Sequence, residues 1–143
     1  MTGTMSEAAL FELLSLDCRV GRDGTIRYYN SLDQVHRVYG PAIEWADGTL
    51  MWYQNGNLHR LDGPAIEDLC GYREWRQNGQ LHRLDGPAAE YTDGTHIWYQ
   101  NGQLHRLDGP AVVRPDGRHE WYFDGRELTE AEWQQAVASM ENV

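Results

Sequence analysis

Along the middle of the chain, apolar and polar positions alternate over stretches of only a few residues, and each stretch runs into a glycine-containing turn. Segments this short fit strands and are too short for helices. Around Asp47-Gly48, a two-residue hairpin would put Ile43, Trp45, Leu50 and Trp52 on one face, with Ala42, Glu44, Met51 and Tyr53 on the other. The same register in the next unit groups Ile66, Asp68, Arg73 and Trp75 against Ala65, Glu67, Glu74 and Arg76. It predicts an Asp68–Arg73 ion pair and a Glu67–Glu74 like-charge pair that Arg76 would relieve. Two flanking segments follow a helical period instead. Glu7 to Leu16 carries Leu10, Phe11, Leu13 and Leu14, and Trp133, Val137 and Met140 follow a Thr129–Glu132 capping box.

The alternation belongs to a repeat. Leu-His-Arg-Leu-Asp-Gly-Pro-Ala occurs at 58–65, 81–88 and 104–111, with a worn copy at 35–42. His36, His59, His82 and His105 are 23 residues apart, and so are Trp52, Trp75, Trp98 and Trp121. From Gly40 to Gly125 the glycines advance in steps of 8, 8 and 7, using 12 of the 15 in the chain. Fixed glycines of this kind are expected to supply the positive φ of tight turns. Asp-Gly and Asn-Gly mark two turns per unit, and the His-Arg-x-Asp-Gly-Pro stretch reads as an irregular corner. Two strands and a corner keep successive units pointing the same way, whereas three strands would reverse each one.

The fold class expected is therefore mainly all-β: an elongated antiparallel β-hairpin repeat sheet, or solenoid, with short N- and C-terminal helices. Residues 1–17 form a flexible start and capping helix, 18–125 the repeat domain, and 126–143 a C-terminal capping helix. At ~4.8 Å per strand and two strands per unit, each repeat advances the ribbon by ~10 Å.

Trp-Tyr-Gln-Asn-Gly at 98–102, His-Arg at 105–106 and Asp-Gly at 116–117, on a 23-residue period, resemble the MORN repeat over roughly residues 23 to 125. Gly-Pro-Ala at the corner departs from the usual motif. It looks like a variant common in bacterial and phage proteins, which often end in a helix like that at 128–140. The resemblance implies an extended antiparallel sheet used as an interaction surface, and it implies no chemistry.

Charge narrows the partners. The chain has 12 basic and 22 acidic residues for a net charge of −10, and every basic residue is arginine. Such a surface disfavours direct nucleic-acid binding and anionic membrane. No apolar run approaches the ~20 residues of a membrane span, and no secretory signal opens the sequence, so a cytoplasmic location is expected. Cys18 and Cys70 have neither metal-like nor framework spacing.

The His-Arg-x-Asp corners at His59, Arg60 and Asp62, at His82, Arg83 and Asp85, and at His105, Arg106 and Asp108 contain acid–base residue types. Copies in every unit point to construction instead, with arginine stacking on Trp or Tyr of the aromatic ladder and the repeated Trp52, Trp75, Trp98 and Trp121 equally structural. No catalytic residue, metal site or cofactor is expected. Departures from the repeat bear more on function, above all in the unit around Cys70, where Glu74 replaces an apolar residue and Arg76 a tyrosine. The expected partner-binding residues are Tyr53, Glu67, Glu74, Arg76, Glu90, Tyr99, Glu120 and Tyr122, with Tyr53, Tyr99 and Tyr122 as an aromatic row. The expectation is a non-enzymatic, phage- or prophage-encoded protein that binds a host protein or protein complex, such as a defence system in an anti-CRISPR role, and self-associates as a homodimer. Two alternatives stand beside it: an acidic nucleic-acid mimic, and a small hydrolase or metal enzyme using the corners.

Overall fold

The computed structural model describes residues 3–142. Of the flexible start expected at Met1–Met5, Met1 and Thr2 lie outside the described residues. Helix α1 (Glu7–Ser15) leads into strands β1 (Asp17–Val20) and β2 (Ile26–Tyr29). The first full unit supplies β3 (Ile43–Glu44), β4 (Leu50–Met51), β5 (Tyr53–Gln54) and β6 (Asn57–Leu58). Its successors supply β7 (Ile66–Glu67), β8 (Arg73–Glu74), β9 (Arg76–Gln77) and β10 (Gln80–Leu81), then β11 (Ala89–Glu90), β12 (His96–Ile97), β13 (Tyr99–Gln100) and β14 (Gln103–Leu104). Strands β15 (Val112–Val113), β16 (His119–Phe123) and β17 (Arg126–Leu128) and helix α2 (Glu130–Glu141) complete the chain.

The fold is mainly β, as the glycine spacing predicts. Two strands from each unit join one antiparallel sheet of 11 strands, in the order β1-β2-β3-β4-β7-β8-β11-β12-β15-β16-β17. The remaining strands form three small hairpins, β5–β6, β9–β10 and β13–β14, beside the main sheet. The chain changes from sheet to hairpin at Trp52, Trp75 and Trp98.

The two kinds of turn differ. Asn55-Gly56 is a two-residue turn with both φ positive (50° and 80°), pairing Gln54 with Asn57. At Asp47-Gly48 the loop has three residues, because Trp45 N–H bonds to Thr49 O and Gly48 N–H to Trp45 O. The expected register is therefore slipped by one residue. Ile43 pairs with Met51 and Glu44 with Leu50, and the later units repeat this with Ile66–Glu74, Ala89–Ile97 and Val112–Glu120. Glu67 faces Arg73, not Glu74, and Asp68 accepts from Tyr72 N–H instead of pairing with Arg73, which reaches Glu90. One extra residue in the turn sends half of each hairpin to the other face.

In the three-residue loops that carry an aspartate, its side chain closes the turn; the loop at Cys70 has none. The Oδ1 atoms of Asp47, Asp93 and Asp116 accept from the N–H of Thr49, Thr95 and Arg118 at 2.9, 2.8 and 3.0 Å. These backbone donors hold the three carboxyls below the usual carboxylate range. Their stabilising contribution is complete above the unfolded value of about 3.9 and is lost as pH falls through the lowered folded values. Thermal melts should therefore lose stability in acid more steeply in the native chain than in Asp47→Asn/Asp93→Asn, whose amide oxygens accept the same bonds without titrating. Identical acid dependence would contradict this.

The corners do not use glycine as expected. Gly40, Gly63, Gly86 and Gly109 have no positive φ. An added Cβ there would lie 2.8 to 2.9 Å from Cζ of Arg37, Arg60, Arg83 or Arg106. These glycines make room for a guanidinium folded flat against the backbone. The alanine two residues on (Ala42, Ala65, Ala88, Ala111) is completely buried, and these four form the centre of the core.

The two ends differ. Helix α2 begins at the capping box formed by Thr129 and Glu132 and packs on β16 and β17, burying Trp133 against Trp121 at 4.6 Å between ring centroids. Helix α1 buries none of its residues. It is held at Glu12, whose carboxylate accepts from the N–H groups of Val38 and Tyr39 in the first corner.

Candidate protein-binding face

The corrected register sorts the side chains into two faces of different character. One carries the tryptophans and their arginines. Arg60, Arg83 and Arg106 stack on Trp52, Trp75 and Trp98 at 3.8, 3.9 and 3.8 Å, and Arg37 covers Tyr28, which occupies the tryptophan position of the first unit. Each stack contributes about 0.5–2 kcal/mol. The same guanidiniums bond the proline carbonyl four residues on, at Pro41, Pro64, Pro87 and Pro110. Their Nε atoms hold Asp62, Asp85 and Asp108 at 3.0, 2.9 and 2.7 Å. Glu44, Glu67 and Glu90 complete this face, paired with Arg37, Arg60 and Arg83.

The histidines join one unit to the next. Nδ1 of His36, His59, His82 and His105 accepts the turn N–H of Asn55, Asn78, Asn101 and Asp124, each at 3.0 Å. In His36, His59 and His82 an Nδ1 used as acceptor leaves the ring proton on Nε2, whereas His105 Nδ1 also lies 2.8 Å from the Asp124 carboxylate. Histidine, arginine and aspartate of each corner are thus all engaged in holding the ladder. Shallow grooves of about 650 and 460 Å³ lie between successive corners, bordered by Leu61, Leu84 and Leu107. Among the described residues, no three His, Cys, Asp or Glu side chains cluster in a way that would hold a metal ion.

The opposite face carries the departures from the repeat. Ile43, Met51, Glu74, Ile97, Val112 and Glu120 occupy its paired positions. Glu74 is the buried charge at its middle, 8% exposed, accepting from the Tyr72 hydroxyl and from Arg76 Nε at 2.6 Å. Arg76 also donates to Gly79 O, while the Tyr72 ring leans on Tyr91 at 5.2 Å. Burial, then the neighbouring Glu74, pushes the Tyr72 hydroxyl far up. Burial also raises Tyr99, with Tyr91 and Glu74 adding to it, and raises Tyr122 beside Glu127 and Glu120. These phenols stay neutral donors, and Arg114 is paired with Glu120 beside them.

Of the residues singled out from the sequence, Glu74, Arg76, Tyr99, Glu120 and Tyr122 gather here, with Tyr53 in the equivalent position of the first unit. Glu67 and Glu90 do not: the register puts them on the tryptophan face, neutralised by arginine. Tyr72, Tyr91 and Trp45 are the additions that sequence reasoning missed. Tyr72 directly follows one three-residue loop and Tyr91 directly precedes the next, each in a closing pair that is misplaced when the turn is counted as two. No protein-family model matches the chain, and neither a curated protein nor a solved structure does.

Proposed function

We propose that this chain is a non-catalytic, MORN-like repeat protein that binds another protein through the face centred on Glu74. The supporting observation is an uneven division of labour between the faces. On the tryptophan face nearly every polar side chain is paired inside the ladder. On the other, Tyr53, Tyr99 and Tyr122 present partly buried rings whose hydroxyls make no hydrogen bond among the described residues. Rigid, amphipathic tyrosines around one buried ionic cluster are the composition of an interface hot spot. A host protein complex is the partner this reading favours, and a phage-encoded inhibitor of a defence system, an anti-CRISPR for example, would use such a face.

The nucleic-acid-mimic reading has less support, because Glu44, Glu67 and Glu90 each spend their charge on an arginine. The hydrolase reading loses its histidines to backbone acceptor duty. The test is an affinity capture from host lysate with two variants of the chain. Tyr53→Ser/Tyr99→Ser/Tyr122→Ser should lose the specific partner, and Glu44→Gln/Glu67→Gln/Glu90→Gln should retain it. Retention by the tyrosine variant, or loss only in the glutamine variant, refutes this assignment of the face.

A further inference from the structure

Strand β1 is the outer strand at the N-terminal end of the sheet, and all four of its residues are exposed. Its inner side is committed to β2. Gly21 N–H bonds to Thr25 O, and the register pairs Cys18 with Tyr28 and Val20 with Ile26. Alternation from the Gly21–Thr25 pair makes Arg19–Arg27 and Asp17–Tyr29 the hydrogen-bonded pairs. The N–H and C=O groups of Cys18 and Val20 therefore point outward, unpaired. Tyr28 agrees, since its own N–H goes to Ala42 O on the far side.

An antiparallel partner must meet those outward groups, and for a second copy related by a twofold axis only three registers do so. Centred on Arg19, the pairing opposes two arginines. Centred on Val20, it opposes Cys18 to Arg22 and Asp17 to Asp23. Centred on Cys18, it opposes Asp17 to Arg19 twice, Leu16 to Val20 twice, and Cys18 to itself. The segment Leu16–Val20 is thus its own complement: apolar, acid, cysteine, base, apolar. The apolar side chains of α1 next to it are also uncovered, with Leu10, Phe11 and Leu14 at 50, 76 and 79% exposure.

We infer that β1 is a homodimer interface, pairing with β1 of a second copy in the register centred on Cys18 and joining two 11-stranded sheets into one. Two hydrogen bonds exchange between the Cys18 residues, and two run from Val20 N–H to Leu16 O. Asp17 and Arg19, already bonded within the chain at 2.8 Å, acquire a second partner across the axis. The α1 helices come together beside the joined strands and cover each other's leucine and phenylalanine side chains. The glutamate–tyrosine face is left free, so this interface neither requires nor precludes the binding role proposed for it.

The test combines mass and cross-linking on the full chain. Light scattering should give twice the chain mass for the native protein and the monomer mass for Arg19→Asp, which opposes Asp17 to an aspartate. The exchange Asp17→Arg/Arg19→Asp restores opposite charges and should restore the dimer, with circular dichroism melts checking that each variant is folded. Diamide, which takes up the two electrons and two protons released when two thiols join, should link native and Cys70→Ser chains into covalent dimers and leave Cys18→Ser, still a dimer by light scattering, without a covalent cross-link. A native monomer at the highest attainable concentration overturns the proposal. So does a dimer that survives Arg19→Asp, a double exchange that folds without dimerising, a cross-link through Cys70, or a mass that keeps growing as head-to-tail stacking would make it.

Discussion

Trp133→Ala is expected to lower the unfolding free energy by about 3–5 kcal/mol, the range for removing a buried tryptophan. The indole is 8% exposed, lies on Trp121, and donates from Nε1 to Arg106 O at 2.8 Å. In the internal units an arginine covers each tryptophan, but no such corner follows Trp121. Trp133 supplies the missing cover from α2 and at the same time satisfies a backbone carbonyl of the last corner. Its removal uncovers Trp121 and releases the helix, and in a repeat array the loss falls on the terminal unit first. Urea unfolding measures the effect. Trp133→Phe should recover most of the loss and leave about 1 kcal/mol, the share of the hydrogen bond. An alanine variant within that margin of the native chain would show that α2 does not close the ribbon.

Glu74→Ala is expected to cost about 3 kcal/mol, the low end for breaking a buried ion pair, because Arg76 keeps some access to water. It leaves the guanidinium and the Tyr72 hydroxyl without their common acceptor. Replacing all three together reverses the outcome. Tyr72→Thr/Glu74→Ile/Arg76→Tyr copies the corresponding Thr95, Ile97 and Tyr99 of the next unit, and exchange of a buried ionic group for fitting apolar residues is neutral or stabilising by about 1–4 kcal/mol. The triple variant should therefore melt at or above the native temperature and yet lose the captured partner. Equal binding by this variant would remove the ionic cluster from the interface, and a lower melting temperature would show that the cluster serves the fold.

The glycine steps made the hairpin ladder legible, because turn chemistry is local and a 23-residue period leaves little choice of architecture. The arginine–tryptophan stacking was equally legible, as both partners recur in every unit. Register was not. Asp47-Gly48 has the composition of a two-residue turn, and what makes it three is the backbone N–H of Thr49 reaching Asp47, a bond that composition alone does not reveal. From that one residue followed the misplacement of Glu67 and Glu90 and the invisibility of Tyr72 and Tyr91. The corner glycines misled for a related reason. Glycine can be required by what approaches it as well as by φ, and here an arginine three residues earlier in the chain approaches.

The histidine-to-turn junction has a genetic consequence. Each unit presents the same acceptor to its successor and offers the same donor to its predecessor, so excising residues 82–104 would join Leu81 to His105 across a seam chemically like the one removed. The product would be shorter by ~10 Å with its termini unchanged. Loss or gain of one whole unit would thus yield foldable offspring at once. Span is then a heritable quantity adjusted in whole increments, while the singular unit around Glu74 is carried along or lost as one piece.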